Sequence, residues 1–268
     1  MRPRDEGMEQ VSVNLGSVGM QRRSVLGLAS LALAPTRVRA AEAGPLAVGT
    51  SFARLFGPDQ RGLAVDLLDE IFAPLGLRPR YEHYPWQRAQ NMVQQGQAQI
   101  LIGPYRTPER EGRLRFSEQP FYEDALVMFG RRGECAWQGD LTQLGRLRVA
   151  TVQGWVYGPA LDAALSGLRH EVVRDVSIGL KMLQLGRIDL LACNARNTQP
   201  VLEELRLASE LQPCGPPVGQ LRGHFAFPLG ETGRLWQQRV DEGMRRLRAS
   251  GRLQQLAARW QVALPAPD

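Results

Sequence analysis

The sequence predicts an α/β fold made of two similar units with a ligand cleft between them. Three observations lead there. Short apolar strands alternate with amphipathic helices, the alternation starts again in the middle of the chain, and the chain closes on a helical pair. Strictly alternating strands and helices argue for a sheet with parallel strands, because each parallel pair needs a crossover that a helix supplies.

Leu46-Ala47-Val48-Gly49-Thr50 reads as a short buried strand, followed by the loop Phe56-Gly57-Pro58-Asp59-Gln60. Leu63, Leu67, Leu68, Ile71, Phe72 and Leu75 then recur at helical spacing, with Gly76 as the stop. Residues 78–84 alternate as a second strand. A helix begins after Pro85 with Trp86, Ala89 and Val93 on one face and ends at Gly96, and residues 99–102 form a third strand. The second unit runs through a strand at 147–152, a turn at Gln153-Gly154, a helix at 157–165, a strand at Val172-Val173, a helix at 178–185 and a strand at 189–193. Two amphipathic helices follow, carrying Trp236, Val240, Met244 and Leu247, then Leu253, Leu256, Ala257 and Trp260.

The formal charge is +6, of which residues 1–40 hold +3 (six arginines against Asp5, Glu6 and Glu9). Lys181 is the only lysine, and the arginines are scattered, with no basic stripe of the kind that binds nucleic acid. Arg22-Arg23 precede an apolar run from Val25 to Ala34, which has the length of a signal-peptide core and is too short to span a bilayer. Val38-Arg39-Ala40 places small residues at a cleavage site, with cutting after Ala40 or Ala41. The paired arginines resemble a twin-arginine export signal, and Met20 marks a second start. Residues 1–40 are thus read as a signal peptide, and the mature chain as a monomer of the periplasm. Cys135, Cys193 and Cys214 allow one disulfide and one free thiol there, with the pairing open. No CxxC spacing and no histidine cluster indicates a metal, and no cofactor is expected.

Five segments carry a resemblance to the family-3 extracellular solute-binding proteins, over roughly residues 46–260. They are Gly62-Leu63-Ala64-Val65-Asp66-Leu67; Trp86 with Gln94-Gln95-Gly96-Gln97-Ala98-Gln99; Thr107-Pro108-Glu109-Arg110 with Phe116-Ser117-Glu118-Gln119-Pro120-Phe121; Gly186-Arg187-Ile188-Asp189; and Gly251-Arg252-Leu253 through Trp260. The resemblance implies a two-lobed periplasmic-binding-protein fold, type II-like. Lobe 1 comprises 44–128 plus 223–268 and lobe 2 comprises 129–222, with crossovers near 127–131 and 223–228. Such lobes close over ligand by hinge motion.

By the same resemblance Arg110 holds a ligand carboxylate, with Thr107 beside it. A guanidinium offers the planar fork of donors that suits a carboxylate. Arg106 is a weaker candidate nearby. Trp86 and Phe52 stand where aromatic rings sandwich the ligand, and Tyr105 adds an aromatic wall. Gly154 and Trp155 follow a strand and are expected to open a helix, whose free N–H groups would receive an anion. Asn194 stands where amino-acid binders carry an acid for the ligand's ammonium, and it supplies a dipole but no charge. Ordinary α-amino acids are therefore not the expected ligands, with Glu118, Glu123 and Asp175 as substitute acids should they bind.

The functional expectation is a substrate-binding protein that captures a small carboxylate-bearing, amino-acid-like solute and delivers it to the permease of an ABC importer, without catalysis. Two alternatives stand beside it: an enzyme on the same fold resembling cyclohexadienyl dehydratase, and a ligand sensor for a separate receptor.

Overall fold

The first strand, β1 (Ala43–Gly49), is the hub of the first half. A computed structural model of the chain describes residues 43–135 and 137–266, so the export signal read over 1–40 lies outside the described residues. Helix α1 (Leu63–Phe72) buries Leu63, Leu67, Leu68, Ile71 and Phe72, the stripe its spacing predicts. It continues as one 3-10 turn to Leu75, and Gly76 then ends it at φ 69°, a left-handed conformation that costs glycine little. β2 (Arg78–His83), α2 (Trp86–Gln94) and β3 (Ile100–Tyr105) follow, and both strands pair in parallel with β1. The short α3 (Pro108–Glu111) and β4 (Arg115–Phe116) lead into β5 (Tyr122–Arg131).

The second half repeats the arrangement. β6 (Val149–Val152), α4 (Gly158–Ser166), β7 (Glu171–Val173), α5 (Val176–Gln184) and β8 (Leu190–Asn194) come in order, with β6 pairing in parallel to β7 and β8. Helix α6 (Ala195–Glu204) leads to the long β9 (Leu211–Phe227), and α7 (Glu231–Ala249) and α8 (Arg252–Trp260) close the chain. No described helix is long and apolar enough to cross a membrane.

One sheet runs in the order β2-β1-β3-β9-β5-β8-β6-β7, with β4 beside β9. Its parallel ladders lie at the two ends, while β5 and β9 run antiparallel through the middle. The apolar side chains nevertheless gather into separate cores. Those of the first half include Ala47, Phe72, Ile102, Phe121, Tyr122 and Phe225, with Val240, Met244, Leu253 and Leu256 from the closing helices, and Leu46, Val48, Val93 and Leu101 on the other face of the sheet. Those of the second half include Phe129, Leu180, Leu183 and Leu191 on one face and Met128, Trp137, Leu161 and Leu190 on the other. Each fully buried Leu, Ile or Phe contributes about 1.5–3 kcal/mol, so each half has a substantial core of its own. The chain leaves the first set of cores after Tyr122 and joins the second by Ala125, then returns between Leu221 and Phe225. This gives two lobes joined by two short backbone stretches.

Cys135 and Cys214 form the disulfide, with Cα atoms 5.8 Å apart, and Cys193 is the buried free thiol. Burial pushes the Cys193 thiol up to about 12, which keeps it from forming a reactive thiolate.

Candidate functional site

In an open α/β sheet, ligands bind at the carboxyl ends of strands. Here the ends of β1, β3 and β8 converge. Phe52 lies three residues beyond β1 in a tight loop, where its N–H donates to the Phe56 carbonyl at 3.0 Å and the Phe56 N–H donates back at 2.9 Å. This loop brings the Phe52 ring edge-on to Trp86, with centroids 5.5 Å apart. Trp86 is the first residue of α2, placed by Pro85 as its cap. At Gly103 (φ 82°) a Cβ would lie 3.3 Å from the Phe52 ring, so this glycine also makes room for the aromatic pair.

Arg110 sits beside them. Thr107 caps α3 and its Oγ1 accepts from the Arg110 N–H at 3.3 Å, so its hydroxyl fixes the backbone that carries the arginine. The Arg110 guanidinium lies 5.8 Å from the Trp86 ring centroid and donates to the Tyr105 carbonyl at 3.1 Å. Its acidic neighbours are engaged elsewhere, Glu111 with Arg106 and Glu109 with Arg113. Among the described residues Arg110 has no ion-pair partner. Burial lowers its pKa from the ordinary value, and Glu109 acts in the opposite sense. Arg106 points to Glu111 with half of its side chain exposed, as a surface arginine does.

Tyr105 and Asn194 meet across the two halves. Asn194 Nδ2 donates to the Tyr105 hydroxyl at 3.3 Å, while its Oδ1 caps α6 by accepting from the Asn197 N–H at 2.9 Å. The Tyr105 hydroxyl donates to Asp124 Oδ2 at 2.7 Å. Burial raises the Tyr105 phenol well above its ordinary pKa, and Tyr122 and Asp124 add to the effect. Asp124 also accepts from Arg196, Nε to Oδ1 at 2.8 Å and Nη2 to Oδ2 at 2.7 Å. The two side chains are 2% and 8% exposed, so the pair is buried. Arg196 lies 5.0 Å from the Tyr122 ring centroid and donates through Nη1 to the Ala53 carbonyl at 2.6 Å. Tyr122, in turn, donates to the Gly103 carbonyl at 2.7 Å.

Phe52, Trp86, Tyr105, Thr107, Arg110 and Asn194 are thus brought together. Gly154 and Trp155 are placed differently. β6 ends at Val152 and α4 opens at Gly158, and between them the Tyr157 hydroxyl folds back to accept from the Val152 N–H at 2.6 Å. The helix thus starts within one residue of position 157, where the apolar spacing puts it, and Gly154 and Trp155 lie in the turn before it and not at its N-terminus. The Gly154 turn (φ 74°) has nothing within 4 Å of a built Cβ, and Trp155 packs against the cores of its own half. The substitute acids lie elsewhere too. Glu118 pairs with Arg245, Glu123 with Arg222, and Asp175 caps α5. Asp189 is structural, holding Arg148 through Nε at 3.1 Å and Nη2 at 2.6 Å. Sequence reasoning missed Asp124, Arg196 and Tyr122. No three His, Cys, Asp or Glu side chains gather as a metal site among the described residues.

A model of the bacterial extracellular solute-binding proteins of family 3 matches residues 57–263. Among solved structures, a histidine kinase sensor domain with similarity to periplasmic binding proteins is 19% identical. It covers 83% of this chain and 98% of its own, at a TM-score of 0.72. An ancestral arginine-binding protein bound to arginine is 16% identical and covers 81% and 97%, at 0.67. The substrate-binding protein of an ABC uptake transporter from Streptococcus pneumoniae, with bound histidine, is 13% identical and covers 81% and 92%, at 0.62. These likenesses concern the fold: a mixed α/β sheet in the two-lobed periplasmic-binding arrangement. None of the curated proteins compared with the chain matches it.

Proposed function

Given that this chain belongs to the family-3 bacterial extracellular solute-binding proteins, we propose that it captures a small carboxylate-bearing solute and delivers it to an ABC importer. The observation that carries the reading is the charge balance of the cleft. Asp124 and Arg196 cancel each other, and Arg110, beside Trp86, has no ion-pair partner among the described residues. A partly desolvated guanidinium next to the Trp86 ring, which Phe52 meets edge-on, suits a carboxylate attached to a flat or apolar body. Lobe 1 binds first through Arg110, Trp86 and Phe52, and lobe 2 closes through Asn194. The Gly154 turn and Trp155 belong to the closing lobe. The mature chain, cut after Ala40 or Ala41, works as a periplasmic monomer with the permease as its partner.

Binding requires no covalent step. The acid buried at this site, Asp124, has both oxygens occupied as acceptors from Arg196 and Tyr105, so it is poorly placed to donate a proton to a leaving group. That weighs against a dehydratase. The sensory reading has the kinase sensor domain in its favour, since 98% of that chain is covered. Uptake of the labelled solute by cells lacking this protein separates the two, because loss of uptake marks the importer and intact uptake marks the sensor. The identity of the solute is tested by a thermal-shift screen of metabolites on protein beginning at Ala41, with carboxylates expected among the stabilisers. Common α-amino acids should bind weakly, since Asn194 offers a dipole where an ammonium needs a charge. Asn194→Asp keeps the α6 cap and should move preference towards them. Micromolar binding of glutamine, histidine or arginine by the unmodified protein would contradict this.

A further inference from the structure

The buried pair of Asp124 and Arg196 is more than a bond between neighbours in one lobe. Asp124 lies on the backbone stretch that joins the lobes, Arg196 on α6 of the second half, and Ala53 next to Phe52 in the first. Arg196 has five N–H donors, and four contacts use them: two to Asp124, one to the Ala53 carbonyl and one to Asn197 Oδ1 at 3.0 Å. Its guanidinium carbon lies over the Tyr122 ring, 5.0 Å from the centroid. A carboxylate, a carbonyl and a ring face arranged around one planar cation are the groups a pocket uses to hold a ligand's guanidinium or ammonium. Here the chain supplies that cation itself.

We propose that Arg196 is a specificity-determining residue of the cleft, filling from within the chain the place at Asp124 where a ligand's cation would otherwise bind. The inference rests on reading the cleft as a solute site, and it narrows the solute class to carboxylates without a cationic group at that end. Two costs enforce the exclusion. A ligand cation entering here would meet the charge of Arg196, and displacing Arg196 would strand a buried guanidinium. Burial alone would lower the pKa of Arg196, yet the charge and hydrogen bonds of Asp124 raise it overall. The residue therefore stays a cation in place.

The test uses the full mature chain with Arg196→Ala and methylguanidinium chloride as the probe, read by thermal unfolding against sodium chloride at equal ionic strength. The truncation leaves Asp124, the Ala53 carbonyl and the Tyr122 face around an empty place. Methylguanidinium should raise Tm of the variant by roughly 5–10 °C at a hundred times its Kd. It should do so neither in the unmodified protein nor in the Arg196→Ala/Asp124→Asn double variant. If the single variant does not fold alone, its refolding yield in methylguanidinium against sodium chloride reads the same place. A folded variant with no rise above the unmodified protein, or a variant that methylguanidinium does not recover, overturns the proposal. A second arm screens the common L-amino acids. At least one should bind the variant about tenfold more tightly than the unmodified protein, and an unchanged profile overturns the specificity assignment. Because methylguanidinium needs no natural solute, failure here leaves the carboxylate reading standing. Failure of the carboxylate reading likewise leaves the methylguanidinium result interpretable.

Discussion

The Tyr122 ring lies so close to Gly223 that a Cβ built on the glycine would sit 1.8 Å from ring atom Cε1. The two residues face each other in register, Tyr122 on β5 and Gly223 on β9. This is where the backbone passes between the lobes, and the same ring has the Arg196 guanidinium 5.0 Å from its centroid. A single methyl group at 223 would therefore push the floor of the cleft.

Gly223→Ala should lower stability by about 1–3 kcal/mol, the usual cost of forcing extra volume into a packed site. It should also weaken solute binding, because Tyr122 cannot keep both its bond to the Gly103 carbonyl and its place under Arg196. Urea unfolding together with calorimetry checks both. A variant of unchanged stability would show that the ring moves freely.

The disulfide gives a second expectation. Cys135 and Cys214 are separated by 79 residues, a long loop whose closure restricts the unfolded chain. Replacing both cysteines by serine should cost about 2–4 kcal/mol. Alkylation of the denatured, non-reduced protein should modify Cys193 alone, as seen by mass spectrometry.

A third expectation concerns pH. His224 is 5% exposed, its Nδ1 lies 3.0 Å from the Ser117 carbonyl, and burial lowers its pKa to about 4. The unfolded chain takes up this proton near the ordinary value of about 6.5, before the folded protein does. Stability therefore falls as pH drops from about 6.5 to about 4, by about 3 kcal/mol in all. Asp241, raised by burial to about 6, acts in the opposite direction over much of the same range. Comparing the unmodified protein with His224→Asn at pH 7 and pH 4.5 removes the shared Asp241 contribution. The variant should gain on the unmodified protein as the solution is acidified, and parallel losses would contradict the assignment.

Much of the fold was legible because its signals are local. The α1 stripe, the Pro85 start of α2 and the Gly76 stop each lie within a few residues of the element they define. β9 was not legible, since Pro213, Gly215, Pro216, Pro217 and Gly219 are residue types that strand interiors seldom carry. Its strand state comes from pairing with β5 along its length and with β3 at one end, contacts distant in sequence. Helix α6 was hidden by Pro200 in its interior. Arg110, Trp86 and Phe52 were singled out through motif positions, and in the structure Trp86 lies between the other two, 5.8 Å from the Arg110 guanidinium and 5.5 Å from the Phe52 ring. Asp124 and Arg196 lie 72 residues apart, and nothing in either local stretch marks a buried pair. Tyr105 was read for its ring, whereas in the structure its hydroxyl joins the two halves through Asp124 and Asn194.

The most direct test of the account is a calorimetric titration of Arg110→Ala with the carboxylate solute that stabilises the unmodified protein. Arg110 lies in the cleft and outside the packed cores, so the variant should fold with a similar Tm. Its affinity should fall by about 2–5 kcal/mol, because the solute's carboxylate would close into the cleft without its charged partner. A folded variant that binds the solute as tightly as the unmodified protein would contradict the account, since the unbalanced cation of the cleft would then not be the anchor.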